Sequence, residues 1–409
     1  MKRSFSLSPP SALPSSPRSS LPLIVASAGL IAAAYGLVRF GYGLLLPEMR
    51  SELGFDAVTA GAVAAGASVA YCVGAIIGFL AASRAARLLV LGAGAFAGLG
   101  AAGVAVAGEF VPFAVGAVVS SVGAGLASPA LVGIVKRSVS SDLDERAQTI
   151  VNSGTGPGLI AAGVLALALL PNWRAVWVVA AVIALLTAGS VALLDCGESE
   201  GDGGRSRPTA PSVAWLVAHR SAILSALLLG AGSAAVWNFG RTLLVEEGRT
   251  DAESVVAWIA IGAGGSAAIL TARWAGSRSA RTVWTITSVG AATGTVGLAL
   301  GAASTPLALL ACALFGWGYT AGSGALIAWT STIDARRAAT GTAMLFVVLI
   351  VGQAVGGVLV GALIESSGPL PAFLVAAVVT AAAGITFGAT PVVPAAPGAV
   401  SCGARRQLR

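Results

Sequence analysis

Arg39 is a charged residue in an unusual place. It lies in the apolar run of residues 22–46, four or five positions beyond the middle of that run, so an α-helix would carry it roughly 6–8 Å from the bilayer centre. A charge at that depth is costly and usually faces a cavity inside the protein. In an α-helix, Tyr35 and Tyr42 would share a face with Arg39. We expect this face to line a central cavity, although burial of Arg39 against carbonyl groups at a helix interface would also explain the pattern.

Other polar or aromatic side chains interrupt later apolar runs. Trp317 and Tyr319 lie near the middle of one run, where the aromatic belt at a membrane surface does not explain them. Asn152 and Gln353 could serve a ligand or simply hydrogen-bond between helices. The predicted substrate-binding set is Arg39, Tyr35, Tyr42, Trp237, Asn238, Asn152, Gln353, Trp317 and Tyr319.

The elements that must position these residues are predicted to be membrane-spanning helices. Of the 409 residues, 56% are hydrophobic and 10% are charged, whereas about a quarter of a soluble domain is charged. The net charge of +7 is distributed among the segments between apolar runs, so we expect no nucleic-acid partner. The scattered cysteines and the single histidine predict neither a disulfide framework nor a metal site. No phosphate-binding loop motif occurs, and we predict neither a cofactor nor an enzyme activity.

Twelve apolar runs are long enough to cross a bilayer as helices. They cover residues 22–46, 58–80, 88–107, 111–135, 148–170, 174–194, 220–245, 255–273, 281–302, 306–330, 339–363 and 370–390. With the N-terminus inside, nineteen of the 24 Lys and Arg residues lie on the inner side and four on the outer side. This bias predicts cytoplasmic termini. We expect a multi-pass monomer in the lipid bilayer of a bacterial inner (plasma) membrane.

The chain is predicted to contain two helical bundles, 22–194 and 220–390. A Gly-, Ser- and Pro-rich cytoplasmic linker at 195–219 separates them, and a disordered cytoplasmic tail (1–21) and a basic cytoplasmic tail (391–409) flank them. The bundles share a repeat, because RFGYGLLLPE from residue 39 aligns with NFGRTLLVEE from residue 238. The alignment places Asn238 opposite Arg39 and Arg241 opposite Tyr42. Arg241 is expected to reach the membrane surface or to pair with Glu246 or Glu247.

Three stretches carry a family resemblance: RFGYGLLLPEMRSELG at 39–54, WR at 173–174 and GQAVGG at 352–357. The chain resembles the major facilitator superfamily and, within it, the YbfB/YjiJ branch of bacterial transporters. The resemblance covers most of 22–390. It implies an all-α polytopic fold with twelve transmembrane helices in two six-helix bundles, which alternate access to a site near the midplane.

A further stretch, NSGTGPGLIAAG at 152–163, is similar to a Gly-Pro motif of superfamily antiporters. It makes Gly156 and Pro157 gating candidates, while close helix packing explains the motif equally well. The family pattern G-x-x-x-D-R-x-G-R-R is not kept, because Ala82 and Ser83 occupy its acidic and first basic positions. The gate role of those residues is therefore not transferred to this chain.

Acidic residues are missing from the middle of every apolar run. Coupling to protons would therefore need an end carboxylate such as Glu48, unless another ion or facilitated transport is used. The fixed charge at Arg39 favours a carboxylate-bearing solute, because a guanidinium binds carboxylate bidentately. We expect a secondary transporter of a small organic solute, anionic or amphipathic. The alternatives are an efflux pump for drug-like compounds and, in a different class, a non-transporting membrane sensor or scaffold.

Overall fold

The computed structural model describes residues 21–139, 144–195 and 212–385. Nearly all of them are helical. The predicted N-terminal tail up to residue 20, linker residues 196–211 and the C-terminal tail lie outside the described residues. We use "first half" for residues 21–195 and "second half" for residues 212–385.

The helices follow the apolar runs of the sequence. They are α1 (Leu21–Ile31), α2 (Gly41–Leu53), α3 (Ala57–Val106), α4 (Phe110–Ser138), α5 (Asp144–Asn152), α6 (Thr155–Leu169), α7 (Trp173–Leu194), α8 (Val213–Glu246), α9 (Asp251–Ala267), α10 (Ala272–Gly276), α11 (Ala280–Gly301), α12 (Thr305–Ile333), α13 (Ala338–Ser367) and α14 (Pro369–Ala383). A π-helical segment, Ala32–Arg39, joins α1 to α2, and 3₁₀ turns occupy Ala268–Thr271 and Ala335–Arg337.

Ten helical stretches within the described residues are long and apolar enough to cross a membrane. Helix α14 is apolar but shorter. Large aliphatic side chains such as Leu99 and Leu186 point outward, each 65% exposed, whereas alanines and glycines fill much of the interior. Large apolar side chains on the outside and small residues in the interior suit a protein whose outer surface faces hydrocarbon and whose helices pack through small residues.

Helix α3 reverses direction near its centre. It contains 50 residues, and Ala85 has non-helical dihedral angles (φ −137°, ψ 30°). Tyr71 and Ala93 lie on either side of this break, yet both contact one turn of α4, at Gly125 and Gly123. A straight helix would separate those two residues by about 33 Å. The single long helix therefore contains two antiparallel passes, which coincide with the predicted runs 58–80 and 88–107.

The two halves meet through glycines that allow close backbone approach. A Cβ atom on Gly43 of α2 would overlap the carbonyl oxygen of Trp237 in α8, and one on Gly61 of α3 would overlap that of Gly357 in α13. These contacts lie toward the end of the bundle that carries Glu48, which we call the Glu48 end. Helix α2 therefore packs closely on α8, and α3 on α13, across the two halves.

Candidate functional site

Local winding of the first apolar run determines where Arg39 lies. The Phe40 N–H donates to the Tyr35 carbonyl oxygen at 2.9 Å, an i→i−5 bond that defines a π-turn. Because a π-turn is wider than an α-helical turn, it changes which side chains share a face of the helix. Tyr35 and Arg39 share Tyr71 as a neighbour, whereas the Tyr42 hydroxyl donates to the Ala60 carbonyl oxygen at 2.9 Å.

Arg39 connects the two halves but is only partly satisfied. Its Nη2 donates to Gln353 Oε1 at 2.9 Å, and its Cζ lies 4.5 Å from the centroid of the Tyr71 ring, within cation–π range. The Gln353 Nε2 in turn donates to the Tyr319 hydroxyl at 3.0 Å. The Arg39 Nη1 is buried and has no acceptor among residues 21–139, 144–195 and 212–385.

A small cavity of about 30 Å³ lies beside Arg39. Its walls come from both halves: Val38, Arg39, Phe40, Tyr42, Ala64, Ala67, Ser68, Ala117, Ser120, Ser121, Trp177, Trp237, Asn238 and Gln353. Five of the nine predicted binding residues are in that set. Within the described part of the chain the lining contains no Asp or Glu. The volume is enough for one or two water molecules, so a solute needs an expanded form of this cavity.

Tryptophans form the aromatic wall of the cavity. The Trp237 ring stacks on Phe40 with centroids 4.2 Å apart and meets Tyr319 edge-on at 5.2 Å. Both Trp237 and Trp177 are buried, and their Nε1 atoms have no acceptor among the described residues. The cavity therefore combines an aromatic surface with unpaired N–H donors.

Four predicted binding residues lie outside this lining. Tyr319 is linked to it through Gln353. Tyr35 meets the Tyr71 hydroxyl at 2.9 Å, and the Tyr71 ring lies against the Arg39 guanidinium. Trp317 instead donates its Nε1 to Thr271 at 3.1 Å. Asn152 is exposed at the end of α5. The structure thus brings together Arg39, Tyr42, Trp237, Asn238 and Gln353 directly, adds Tyr35 and Tyr319 as neighbours, and places Trp317 and Asn152 elsewhere.

The two gating candidates lie where the first half meets α9. Gly156 is in the first turn of α6, and a Cβ atom there would overlap the Ser266 hydroxyl of α9. Pro157 follows it and is exposed. The helical path is interrupted just before them, between α5 and α6 at Ser153 and Gly154. The motif therefore coincides with both a helix break and a close contact between halves.

Two contributors to the site were not identified from the sequence. Tyr71 lies inside the run 58–80, and the criterion applied to Tyr319, an aromatic residue at mid-depth, would have found it. Trp177 lies near the start of the run 174–194, where it resembles an ordinary interfacial tryptophan. Its contribution depends on how α7 packs.

Arg241 forms a second charged cluster, at the Glu48 end. It is 1% exposed, and all five of its N–H donors are used. Two bond Glu48 at 2.6 Å each, and the others bond the Leu44 carbonyl, Asp251 and Ser254. We call these five residues the Arg241 cluster. The expected pairing with Glu246 or Glu247 is wrong, because the carboxylates that pair with Arg241 are Glu48 of the first half and Asp251.

The loop before α3 lies at this same end. Asp56 caps the helix by accepting from the Thr59 N–H at 2.7 Å. Hydrogen bonding from Thr59 lowers the pKa of the Asp56 carboxyl, because it stabilises the charged form. Asp56 is therefore ionised at neutral pH, and the cap fixes the turn between α2 and α3.

A helical membrane protein whose two halves enclose a polar cavity at mid-depth has the architecture of a transporter. The chain belongs to the Major Facilitator Superfamily, whose family profile matches residues 28–349. This membership and the solved structures below indicate a membrane transporter and not an enzyme.

Three solved structures illustrate the shared fold. The nucleoside transporter NupG has a TM-score of 0.71 and 16% identity, with 89% of this chain and 97% of that chain covered. A POT family transporter in complex with 5-aminolevulinic acid has a TM-score of 0.69 and 13% identity, with 90% of this chain and 95% of that chain covered. A D-xylose–proton symporter has a TM-score of 0.67 and 13% identity, with 89% of this chain and 96% of that chain covered. No curated protein sequence matched the chain. Identity this low shows the fold alone.

Proposed function

We propose that this protein is a secondary transporter of a small organic anion that works by alternating access. The proposed topology has twelve crossings in two six-helix bundles, 22–194 and 220–390, with both termini in the cytoplasm of a bacterial cell. The ten long helical stretches, the reversal within α3 and the shorter α14 support twelve crossings. The nineteen inner-side basic residues support the orientation. The Glu48 end is then the outer end. We also propose the YbfB/YjiJ branch, on the stretch at 39–54.

One observation carries the choice of an anion: Arg39 Nη1 is buried at the cavity with no acceptor among the described residues. A buried cation without a counter-ion is unfavourable by several kcal/mol. A carboxylate entering the cavity would supply the missing charge and could accept two parallel N–H bonds. Gln353 already holds the other terminal nitrogen at 2.9 Å, so the guanidinium is oriented before the ligand arrives.

The arrangement of contacts supports a state that is closed at the outer end. The Arg241 cluster, the contact between Gly61 and Gly357 and the hydrogen bond from the Ala57 N–H to Glu365 all join the halves there. Alternating access requires these contacts to break when the outer end opens.

The alternative functions differ in what they require of the cavity. Drug-like compounds would use the aromatic wall formed by Phe40, Trp177 and Trp237, and that wall keeps efflux as a second candidate. Cationic drugs are disfavoured because Arg39 is the charged group beside it. A sensor or scaffold has no need for unpaired donors in a polar cavity on its axis, although the small volume of about 30 Å³ is compatible with one.

The test measures transport of labelled organic anions by Arg39→Lys and Arg39→Gln variants. Cells with and without the protein are first compared for accumulation or loss of labelled metabolites, with the proton gradient intact and then collapsed. For the anion so identified, Arg39→Gln should lower apparent affinity about 10- to 150-fold, since a charge-assisted hydrogen bond contributes roughly 1.5–3 kcal/mol. Arg39→Lys should be intermediate, because it keeps the charge and loses the planar fork.

Arg249→Gln is the matched control, because Arg249 does not line the cavity. It pairs with Glu253 at 3.7 Å and donates to Thr305 at 3.4 Å, and its replacement should leave transport unchanged. Unaltered anion transport in both Arg39 variants would exclude the proposed function.

A further inference from the structure

The cavity contains several hydrogen-bond donors that the described residues leave without a partner. Three of its lining side chains have a buried N–H without an acceptor in the described parts of the chain, namely Arg39, Trp177 and Trp237. Of the lining acceptors, Gln353 Oε1 already accepts from Arg39. A group rich in acceptors is what would satisfy these walls.

From these unpartnered donors we propose that the site selects monocarboxylates that carry an apolar body, and that it rejects zwitterions and dicarboxylates. This inference rests on the proposed function and specifies its substrate class. A carboxylate is acceptor-only and offers about four lone-pair positions, which suits a guanidinium and neighbouring indole N–H groups. One cation, Arg39, is present in the lining, and it matches one negative charge.

The apolar body has its own complement in the cavity wall. Val38 and the stacked pair of Phe40 and Trp237 lie beside Arg39. Aromatic rings favour offset or edge contacts with a flat ligand. The charged end and the apolar end of one small molecule can therefore be held by adjacent residues of the same cavity.

Exclusion of ammonium groups follows from charge. An amino acid would bring a cation into a site that already holds Arg39, and no acidic side chain lines the cavity within the described ranges. Two like charges about 6 Å apart, at the effective dielectric constant of about 20 that suits protein sites, weaken binding by roughly 100-fold. A second carboxylate would instead be buried without a cation, which is also unfavourable.

The experiment uses the full chain in lipid nanodiscs and four ligands with one phenyl group. They are 3-phenylpropionate, its uncharged amide, phenylalanine and phenylsuccinate, with binding measured by calorimetry. We expect 3-phenylpropionate to bind, and the other three to bind at least 30-fold more weakly. Binding of phenylalanine or phenylsuccinate within threefold of 3-phenylpropionate, and lost in Arg39→Gln, would overturn this inference while leaving the anion transporter intact. If none of the acids binds in a way that depends on Arg39, both this inference and the proposed function would be overturned.

A second measurement tests the indole donor directly. Trp237→Phe keeps an aromatic ring and removes the N–H, so affinity for 3-phenylpropionate should fall about 5- to 10-fold while affinity for the amide changes less. Trp329→Phe is the matched control, because its Nε1 is also buried without an acceptor among the described residues but the residue does not line the cavity. Equal affinities of the two variants for 3-phenylpropionate would contradict the donor role of Trp237.

Discussion

Removing the charge of Glu48 should open the Glu48 end, which we propose is the outer end of the protein. In the structure the Arg241 side chain is fully buried and that of Glu48 is 11% exposed, and two 2.6 Å hydrogen bonds join them. Glu48→Gln leaves one neutral acceptor in place of this bidentate ion pair, so the closed state should lose roughly 2–4 kcal/mol. Asp251 remains beside Arg241 at 3.0 Å, which favours the lower value. When the end is open and wet, the pair contributes little, so the open-to-closed ratio should rise about 30-fold.

Labelling of a single cysteine reports this ratio. Ser68 lines the cavity and is 5% exposed, so Ser68→Cys should react with an impermeant maleimide from outside only when the outer end opens. The four native cysteines are first replaced by serine or alanine. The initial labelling rate in membranes should then be about 30-fold faster when Glu48→Gln is added, provided that the open state remains the minor one.

Glu365→Gln is the control for this change. Glu365 is exposed and accepts one long hydrogen bond, 3.4 Å from the Ala57 N–H, so the same chemical substitution at the same end should alter the labelling rate less than twofold. A rate in Glu48→Gln that stays within threefold of the parent would refute the reasoning, because it would show that the buried pair does not hold the outer end closed.

Two further changes test the packing of the halves and of the helix ends. Gly43→Ala should lower the thermal unfolding midpoint by about 5 °C, because the added Cβ would overlap the Trp237 carbonyl oxygen. Gly41→Ala is the control and should leave the midpoint unchanged, because nothing lies within 4 Å of a Cβ added there. Equal midpoints in the two variants would contradict this packing. Glu52→Gln should lower the midpoint by about 1–3 °C in a fluorescence-monitored melt. It removes the charged acceptor of the Trp173 N–H, which lies at 2.7 Å, and an unchanged midpoint would show that the contact does not stabilise the fold.

Much of the fold is predictable because bilayer thickness determines the length of an apolar run. The run 22–46 corresponds to α1, the π-segment and α2, and the runs 58–80 and 88–107 both lie in α3. The π-winding itself could not be predicted. It occurs where Gly36 approaches the backbone of Gly158 so closely that a Cβ would overlap it, and such a contact between distant helices leaves no periodic signal in the sequence.

The site was predictable to the extent that polarity in an apolar run is conspicuous. Arg39 and Gln353 stand out for this reason, and the structure joins them by a hydrogen bond. Trp317 met the same criterion, yet it lies against Thr271, since mid-depth alone does not say which way a side chain faces. Asn152 is at a helix end, because the run 148–170 contains a break. Rotational position is set by tertiary packing, which the sequence pattern leaves open.

The contrast between the two arginines fits the two different roles that we propose for them. Arg39 and Arg241 lie in aligned stretches, three positions apart in the alignment, and both are removed from bulk water. Arg241 uses all five donors on protein acceptors, including the carboxylates of Glu48 and Asp251, so it has nothing left to offer a solute. Arg39 has an amide and an aromatic face as partners. Because a side chain can donate hydrogen bonds to a ligand only where the fold leaves donors unused, we propose Arg39 for binding and Arg241 for closure.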